Sequence, residues 1–191
     1  MPHNSQHTPS QRRPFPGWPW VAVALGFPIA GYIGWTISGP VDTVAPALIG
    51  GAITAAGLAA VQWWAAKGVL GRPGAWICAS AAGYAAGLAA GAALVGYDTD
   101  LGSLALMGLV SGAFLGAAQG LVLARQGDTR LAAAWAAAMP VLFTLAWGAT
   151  TVIGVSVENQ FTVFGAAGAI LFMLLSGLLL ARFTPSSTRV A

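Results

Sequence analysis

Charged residues are missing from long stretches of this chain. Between Arg13 and Lys67 the one charged residue is Asp42, and the stretch from Arg130 to Arg182 also encloses just one. Only 7% of the 191 residues are charged and 57% are hydrophobic, whereas an ordinary soluble domain has roughly 25% charged residues. The uncharged stretches are long enough for helices of about 20 apolar residues, the length that crosses a bilayer core. The pattern predicts an all-α integral membrane protein.

Six segments have the length and composition of transmembrane helices. A proline-rich tail, residues 1–17, precedes this predicted transmembrane domain of residues 18–182, and a second tail, residues 183–191, follows it. Such polar, proline-rich composition predicts disorder in the first tail. The six predicted helices are Trp18–Ile37, Val44–Ala66, Gly74–Val95, Leu101–Ala124, Leu131–Val155 and Phe161–Ala181.

The basic residues all fall on one side of this arrangement. All eight lie in the tails or in the second and fourth connections, whereas four of the five acids lie in odd-numbered connections. Because Lys and Arg in short loops are retained in the cytoplasm, the pattern predicts that both termini are cytoplasmic. An even number of helices agrees with that orientation. The net charge of +3 is explained by the same topology, so we expect no nucleic-acid partner.

One short phrase is written twice. "QGLVLAR" begins at Gln119 and "SGLLLAR" at Ser176, 57 positions later, and Gln62 lies 57 positions before Gln119. A period that contains two helices brings each copy into the membrane in the same direction, as in repeats related by an axis along the membrane normal. The repeat predicts three helical hairpins in a pseudo-threefold arrangement. Their approximate ranges are 18–66, 74–124 and 131–182, and their odd helices open with Trp20, Trp76 and Trp135.

Small and polar residues form a stripe on the fourth helix. Gly108, Gly112, Gly116 and Gln119 share one face, because steps of four and three return to the same side of a helix. Small residues and polar groups mark packing faces in membranes. We therefore expect the even helices to meet in the middle, with the repeated polar positions near their inner ends. These are Gln62, Gln119 and Ser176.

Two interpretations of this polar cluster remain open. The amide and hydroxyl groups either bond to one another within the bundle, or they line the mouth of a solute path. A second stripe, Gly83, Gly87 and Gly91, is predicted to pack against the fourth helix. Gly91 is expected to tolerate isoleucine better than Gly112 does, because Gly91 lies near a helix end.

Tryptophans cluster near the predicted ends of the helices. Indole rings favour the headgroup level of a membrane, so contact with the interface is the simplest explanation for them. Those at the predicted cytoplasmic ends are Trp18, Trp20, Trp63, Trp64, Trp76 and Trp135.

The phrases "GLAAVQWWAAK", Gly57 to Lys67, and "GAAQGLVLAR", Gly116 to Arg125, alternate with tryptophan-led helices. In this the chain resembles a group of uncharacterised bacterial multi-pass membrane proteins with "QWLVLR"-like phrases. Gly120 stands where the group has tryptophan, and Ser176 replaces glutamine. The resemblance implies a location in the bacterial inner membrane and does not indicate an activity.

Groups for catalysis are missing from the predicted helices. None has an ionisable residue near mid-depth, and both histidines, His3 and His7, lie in the first tail. We therefore expect no catalytic residues, cofactor or metal site. The sequence favours a non-catalytic membrane scaffold or interaction protein, in contact with lipid and with a membrane-protein partner or a second copy. The alternative is a transporter or channel for a small uncharged solute, which a hydrated cavity through the bundle would favour.

Overall fold

Six helices long and apolar enough to span a membrane make up most of the described chain. The computed structural model describes residues 17–154 and 157–184, so the predicted tails lie almost wholly outside it. The helices are α1 (Trp18–Ser38), α2 (Val44–Ala65), α3 (Pro73–Leu94), α4 (Leu101–Ala124), α5 (Thr129–Val152) and α6 (Ala166–Phe183). A single 3₁₀ turn, Val23–Leu25, interrupts α1. The prediction of an all-helical chain with six such helices is confirmed.

The helices form a ring in which each packs mainly against its neighbours in the chain, and α6 returns to α1. Short connections make consecutive helices antiparallel, so the odd-numbered connections gather at one end and the even-numbered ones at the other. We call these the acidic end, with Asp42, Asp98, Asp100 and Glu158, and the basic end, with Lys67, Arg72, Arg125, Arg130 and Arg182.

The sixth helix begins later than the sequence predicts. It was expected from Phe161, but α6 starts at Ala166. Residues 160–165 are not helical, yet Thr162 and Phe164 are buried. Tertiary hydrogen bonds replace the helical ones here: the Thr162 hydroxyl donates to the Gly31 carbonyl, and the Tyr84 hydroxyl donates to the Thr162 carbonyl. We call residues 160–165 the inserted segment, because they enter the bundle from the acidic end.

Gln160 joins the three connections of the acidic end. Its carbonyl accepts from the Val41 N–H at 3.0 Å, and its side-chain amide donates to the Tyr97 carbonyl at 3.0 Å. These bonds link the first, third and fifth connections across the ring. The acidic end is therefore covered by hydrogen-bonded loops.

The glycine stripe of α4 faces a different helix from the one expected. A Cβ at Gly112 would lie 2.5 Å from the Met139 carbonyl oxygen of α5, and Gly108 and Gly116 also meet the α5 backbone. The expectation that these glycines contact the other even helices is therefore wrong. The short connection after α4 places α5 beside it, and the stripe lets the two backbones approach closely. The second stripe, at Gly83, Gly87 and Gly91, packs against α4 as expected.

The tryptophans differ widely in exposure. Trp18 and Trp64 are 78% and 63% exposed, which suits indole rings at a membrane interface. Trp20, Trp76 and Trp135 are completely buried instead. For these three, contact with lipid headgroups was the wrong explanation, and their position in the middle of the ring requires another.

Candidate central polar site

Three buried indole rings occupy the middle of the ring toward the basic end. The Trp20 and Trp135 ring centres are 6.3 Å apart, and those of Trp76 and Trp135 are 5.9 Å apart, both in edge-to-face contact. One ring comes from each of α1, α3 and α5. The residues that open the odd helices therefore form a single cluster, which we call the tryptophan cluster.

The tryptophan cluster is hydrogen-bonded to the repeated polar positions. Trp135 Nε1 donates to Gln119 Oε1 at 2.8 Å, and Trp20 Nε1 donates to Ser176 Oγ at 3.1 Å. Each bond joins an odd helix to the even helix that precedes it around the ring. Indole N–H groups away from water need such acceptors, because leaving them unpaired is costly.

The third tryptophan lacks the equivalent bond. Trp76 Nε1 is buried and has no hydrogen-bond partner among the described residues. The corresponding polar residue is Gln62, on the even helix preceding α3. Its side chain is 6% exposed and makes no hydrogen bond within the part of the chain that the structure describes.

Both the oxygen and the nitrogen of the Gln119 side-chain amide form hydrogen bonds. Besides accepting from Trp135, it donates through Nε2 to Ser80 Oγ at 2.8 Å, and Ser80 donates to the Trp76 carbonyl of its own helix at 2.8 Å. This chain of bonds connects α3, α4 and α5. Because every group in it is neutral, it can exchange hydrogen bonds but supplies no charge.

A small cavity lies beside this network. It measures about 30 Å³ and is lined by Gln62, Ser80, Tyr84 and Gln119 together with apolar side chains. A site of this size and polarity has room for one water molecule. Toward the acidic end, four phenyl rings in stacked, tilted or edge-to-face contact close the middle of the bundle, with centre separations of 5.2–5.7 Å. They are Phe27, Phe143, Phe164 and Phe172.

A second polar contact lies beyond the phenyl rings. The hydroxyls of Thr54 and Thr162 are 2.8 Å apart, which ties α2 to the inserted segment. Gly34 and Gly50 lie close against these threonines and leave no room for a side chain. The inserted segment thus fills the acidic half of the ring, as the tryptophan cluster fills the basic half.

The chemistry available inside the bundle is limited to amides, hydroxyls and indoles. No buried polar side chain in the described chain is charged. The described residues also include no group of three or more His, Cys, Asp or Glu that could hold a metal ion. The site can therefore orient a water molecule through hydrogen bonds.

The structure distributes the predicted site residues over two places. Gln62 and Gln119 line the same central cavity, and Ser176 is joined to the tryptophan cluster through Trp20. Gly108, Gly112 and Gly116 lie at the α4–α5 contact instead. Sequence reasoning missed Ser80 and Thr162. Ser80 follows Trp76 by one helical turn, which is the signal that could have placed it beside the tryptophan cluster.

Comparison of the chain with family models, curated proteins and solved structures found no match.

Proposed function

We propose that this chain is a non-catalytic, polytopic membrane protein that acts as a scaffold or interaction partner for other membrane proteins. The observation that carries the proposal is the packed middle of the ring. Beside the tryptophan cluster the central cavity is about 30 Å³, and the phenyl rings and the inserted segment fill the axis from there toward the acidic end. A bundle with a filled axis offers its outer surface for interactions.

The proposal includes three equivalent hairpins around an axis along the membrane normal. Two of the three tryptophans bond to the repeated polar position of the preceding hairpin, Trp135 to Gln119 and Trp20 to Ser176. Contacts of one kind at repeated positions are what a pseudo-threefold arrangement requires. The one-sided basic residues support cytoplasmic termini, and the resemblance of the repeated phrases supports the bacterial inner membrane.

A groove between α1 and α2 supports the role in interactions. It measures about 340 Å³, and its floor is formed by the small residues Gly26, Ala30 and Gly57. The branched side chains of Ile29, Ile33, Ile53, Leu58 and Val61 complete its lining. Membrane helices associate where small residues let backbones approach, so a transmembrane helix of a partner fits this groove.

Site-directed photocrosslinking tests the proposal. A photoreactive amino acid at Ile33, in the groove, should give a discrete crosslinked protein in native membranes. The matched control is Leu178, which is 69% exposed on α6 and does not line the groove. Lipid adducts alone at Ile33, as at Leu178, would contradict the proposal.

A solute transporter or channel is the second candidate. The observation that favours it is the inserted segment, because non-helical backbone inside a membrane bundle is often associated with substrate sites. Stopped-flow swelling of proteoliposomes with glycerol or urea separates the two candidates. If the protein is a scaffold, the proteoliposomes should be no more permeable to these solutes than protein-free vesicles are. A faster rate that Gln119→Leu abolishes in a folded variant would establish the alternative.

A further inference from the structure

One of the three repeated polar positions lacks a direct bond to a tryptophan. Trp135 and Trp20 bond to Gln119 and Ser176, each on the even helix that precedes them. Between α2 and α3, the Gln62 side chain is 6% exposed and its amide has no hydrogen-bond partner among the described residues. A buried amide without a partner is costly. Gln62 therefore requires a partner that the neighbouring helices do not supply directly.

Gln62 lies on the wall of the central cavity, together with Ser80, Tyr84 and Gln119. These polar side chains come from α2, α3 and α4. The amide nitrogen of Gln119 has two N–H groups, and one of them is donated to Ser80. The hydroxyls of Ser80 and Tyr84 each donate one bond to a backbone carbonyl, and their oxygens can still accept. Hydrogen-bonding capacity thus remains available on all three helices around the cavity.

The size and charge of the central cavity determine what fits in it. Its volume of about 30 Å³ exceeds the roughly 10–15 Å³ that one water molecule needs, and lies far below the roughly 300 Å³ at which ligand pockets begin. None of the described residues that line the cavity is charged, so an ion would be buried there without a counter-charge. Water has this size, is neutral, and both donates and accepts hydrogen bonds.

From these observations we propose that the central cavity binds one ordered water molecule, which bonds to the Gln62 amide and to the Ser80–Gln119 pair. The water joins α2 to α3 and α4, at the place where the repeated direct bond is not made. Each hairpin is then connected to the next by a buried polar link, two of them direct and one through water. The water site is independent of the scaffold role, because it depends on groups inside the bundle and not on the outer surface.

X-ray radiolytic footprinting of the full chain in detergent tests this site. Radiolysis produces hydroxyl radicals from bound water as well as from bulk water, so a buried side chain beside an ordered water is oxidised. Leu115 is 7% exposed and lines the cavity, whereas Leu142 is 8% exposed and does not line it. Leu115 should therefore be oxidised several-fold faster than Leu142. Equal rates for the two leucines in the wild-type protein would overturn the proposal.

Replacing Gln62 tests whether its amide holds the water. Gln62→Leu should lower the oxidation of Leu115 to the rate of Leu142, because the water loses its partner on α2. Gln126→Leu is the matched control, since Gln126 does not line the cavity, and it should leave the oxidation of Leu115 unchanged. Unchanged oxidation of Leu115 in a folded Gln62→Leu protein would contradict the proposed site. The comparison of the two leucines in the wild type does not depend on the folding of either variant.

A double-mutant cycle measures the link between α2 and α3. Gln62 and Ser80 share no direct hydrogen bond, so a water between them is what couples their polar groups. Gln62→Leu combined with Ser80→Ala should change the unfolding equilibrium constant by about threefold less than the product of the two single effects. Ser111→Ala provides the control cycle with Gln62→Leu, since Ser111 is buried on α4 and does not line the cavity, and these two effects should multiply. Effects that also multiply in the Gln62–Ser80 cycle would overturn the proposal.

Discussion

At the scale of single residues, Gln119 makes the most connections in the middle of the bundle. Its side chain accepts from Trp135 and donates to Ser80, whereas the side chain of Gln62 makes no hydrogen bond among the described residues. The two glutamines occupy equivalent places in the repeated phrase. Comparing substitutions at the two positions therefore separates the effect of the hydrogen bonds on stability from the effect of the position in the repeat.

Replacing each glutamine with leucine gives the first prediction. Gln119→Leu should reduce the free energy of unfolding by about 1–2 kcal/mol, because interhelical hydrogen bonds in membranes contribute roughly 0.6–2 kcal/mol each. Gln62→Leu is the matched control, and its effect should be smaller. Unfolding by titration with SDS measures both. Equal losses would mean that the hydrogen bonds of Gln119 contribute nothing.

The Asp100 carboxylate gives a prediction about pH. Hydrogen bonds from the Ser103 hydroxyl and from the Ser103 and Gly102 N–H groups at the start of α4 lower the pKa of Asp100. A lowered pKa in the folded state stabilises the fold above the unfolded-state pKa, and this contribution is lost as pH falls through the folded-state value. The melting temperature in detergent should therefore fall on acidification.

Two variants test whether the Asp100 carboxylate causes this pH dependence of the melting temperature. Asp100→Asn should weaken the fall in melting temperature, because no charge remains to be neutralised at this position. Ser103→Ala should weaken it less, since the backbone N–H groups still bond to the carboxylate. An unchanged pH dependence in Asp100→Asn would contradict this explanation.

At the scale of helices, close backbone contact determines which substitutions the bundle accepts. A Cβ at Gly112 would lie 2.5 Å from the Met139 carbonyl oxygen and 2.8 Å from Pro140 Cα. Gly148, on α5, has no atom within 4 Å of its Cβ position. These two glycines therefore differ in surroundings while both lie inside long helices.

Alanine substitution tests that difference. Gly112→Ala should destabilise the protein by about 1–3 kcal/mol, because backbone atoms must move to admit the methyl group. Gly148→Ala should be neutral or stabilising by up to about 1 kcal/mol, since alanine favours a helix more than glycine does. Thermal unfolding in detergent measures both. Equal tolerance would contradict the close α4–α5 contact.

Gly91 shows what sequence reasoning leaves out at this scale. Its place near the end of α3 predicted that isoleucine would be milder there than at Gly112, yet a Cβ at Gly91 would still lie 2.9 Å from the Met107 carbonyl oxygen. Spacing along a helix shows which residues share a face. It does not show which neighbour that face meets or how closely, because those depend on the order of helices around the ring.

The helices themselves were predictable because apolar length and the absence of charge are local properties of the sequence. The start of α6 was not. Phe161 and Val163 are as apolar as the helix that follows, and contacts with distant groups, among them Gly31, Thr54 and Tyr84, hold their segment out of the helix. The repeat located Gln62, Gln119 and Ser176, but the tryptophan partners of Gln119 and Ser176 depend on how the helices are arranged in the ring.

At the scale of the whole molecule, six helices place the start of α1 and the end of α6 at the same end of the bundle. Reporter fusions after His7 and after Val190 test the proposed orientation. Both should report the cytoplasm, because all eight Lys and Arg residues lie in the tails, in the even-numbered connections or in the helix ends next to them. A periplasmic signal from either fusion would require a different topology.

The filled axis of the ring is the central claim, and cysteine accessibility in proteoliposomes tests it most directly. Cys78, which is exposed, is first replaced by serine, and single cysteines are then introduced as Thr54→Cys, Ser176→Cys and, in an exposed loop, Asp98→Cys. A membrane-impermeant methanethiosulfonate reagent needs a hydrated thiolate. It should modify the Asp98→Cys protein readily and leave the Thr54→Cys and Ser176→Cys proteins unmodified until they are denatured. Modification of either buried position at a rate comparable to that of Asp98→Cys would show a water-filled path and contradict the packed centre.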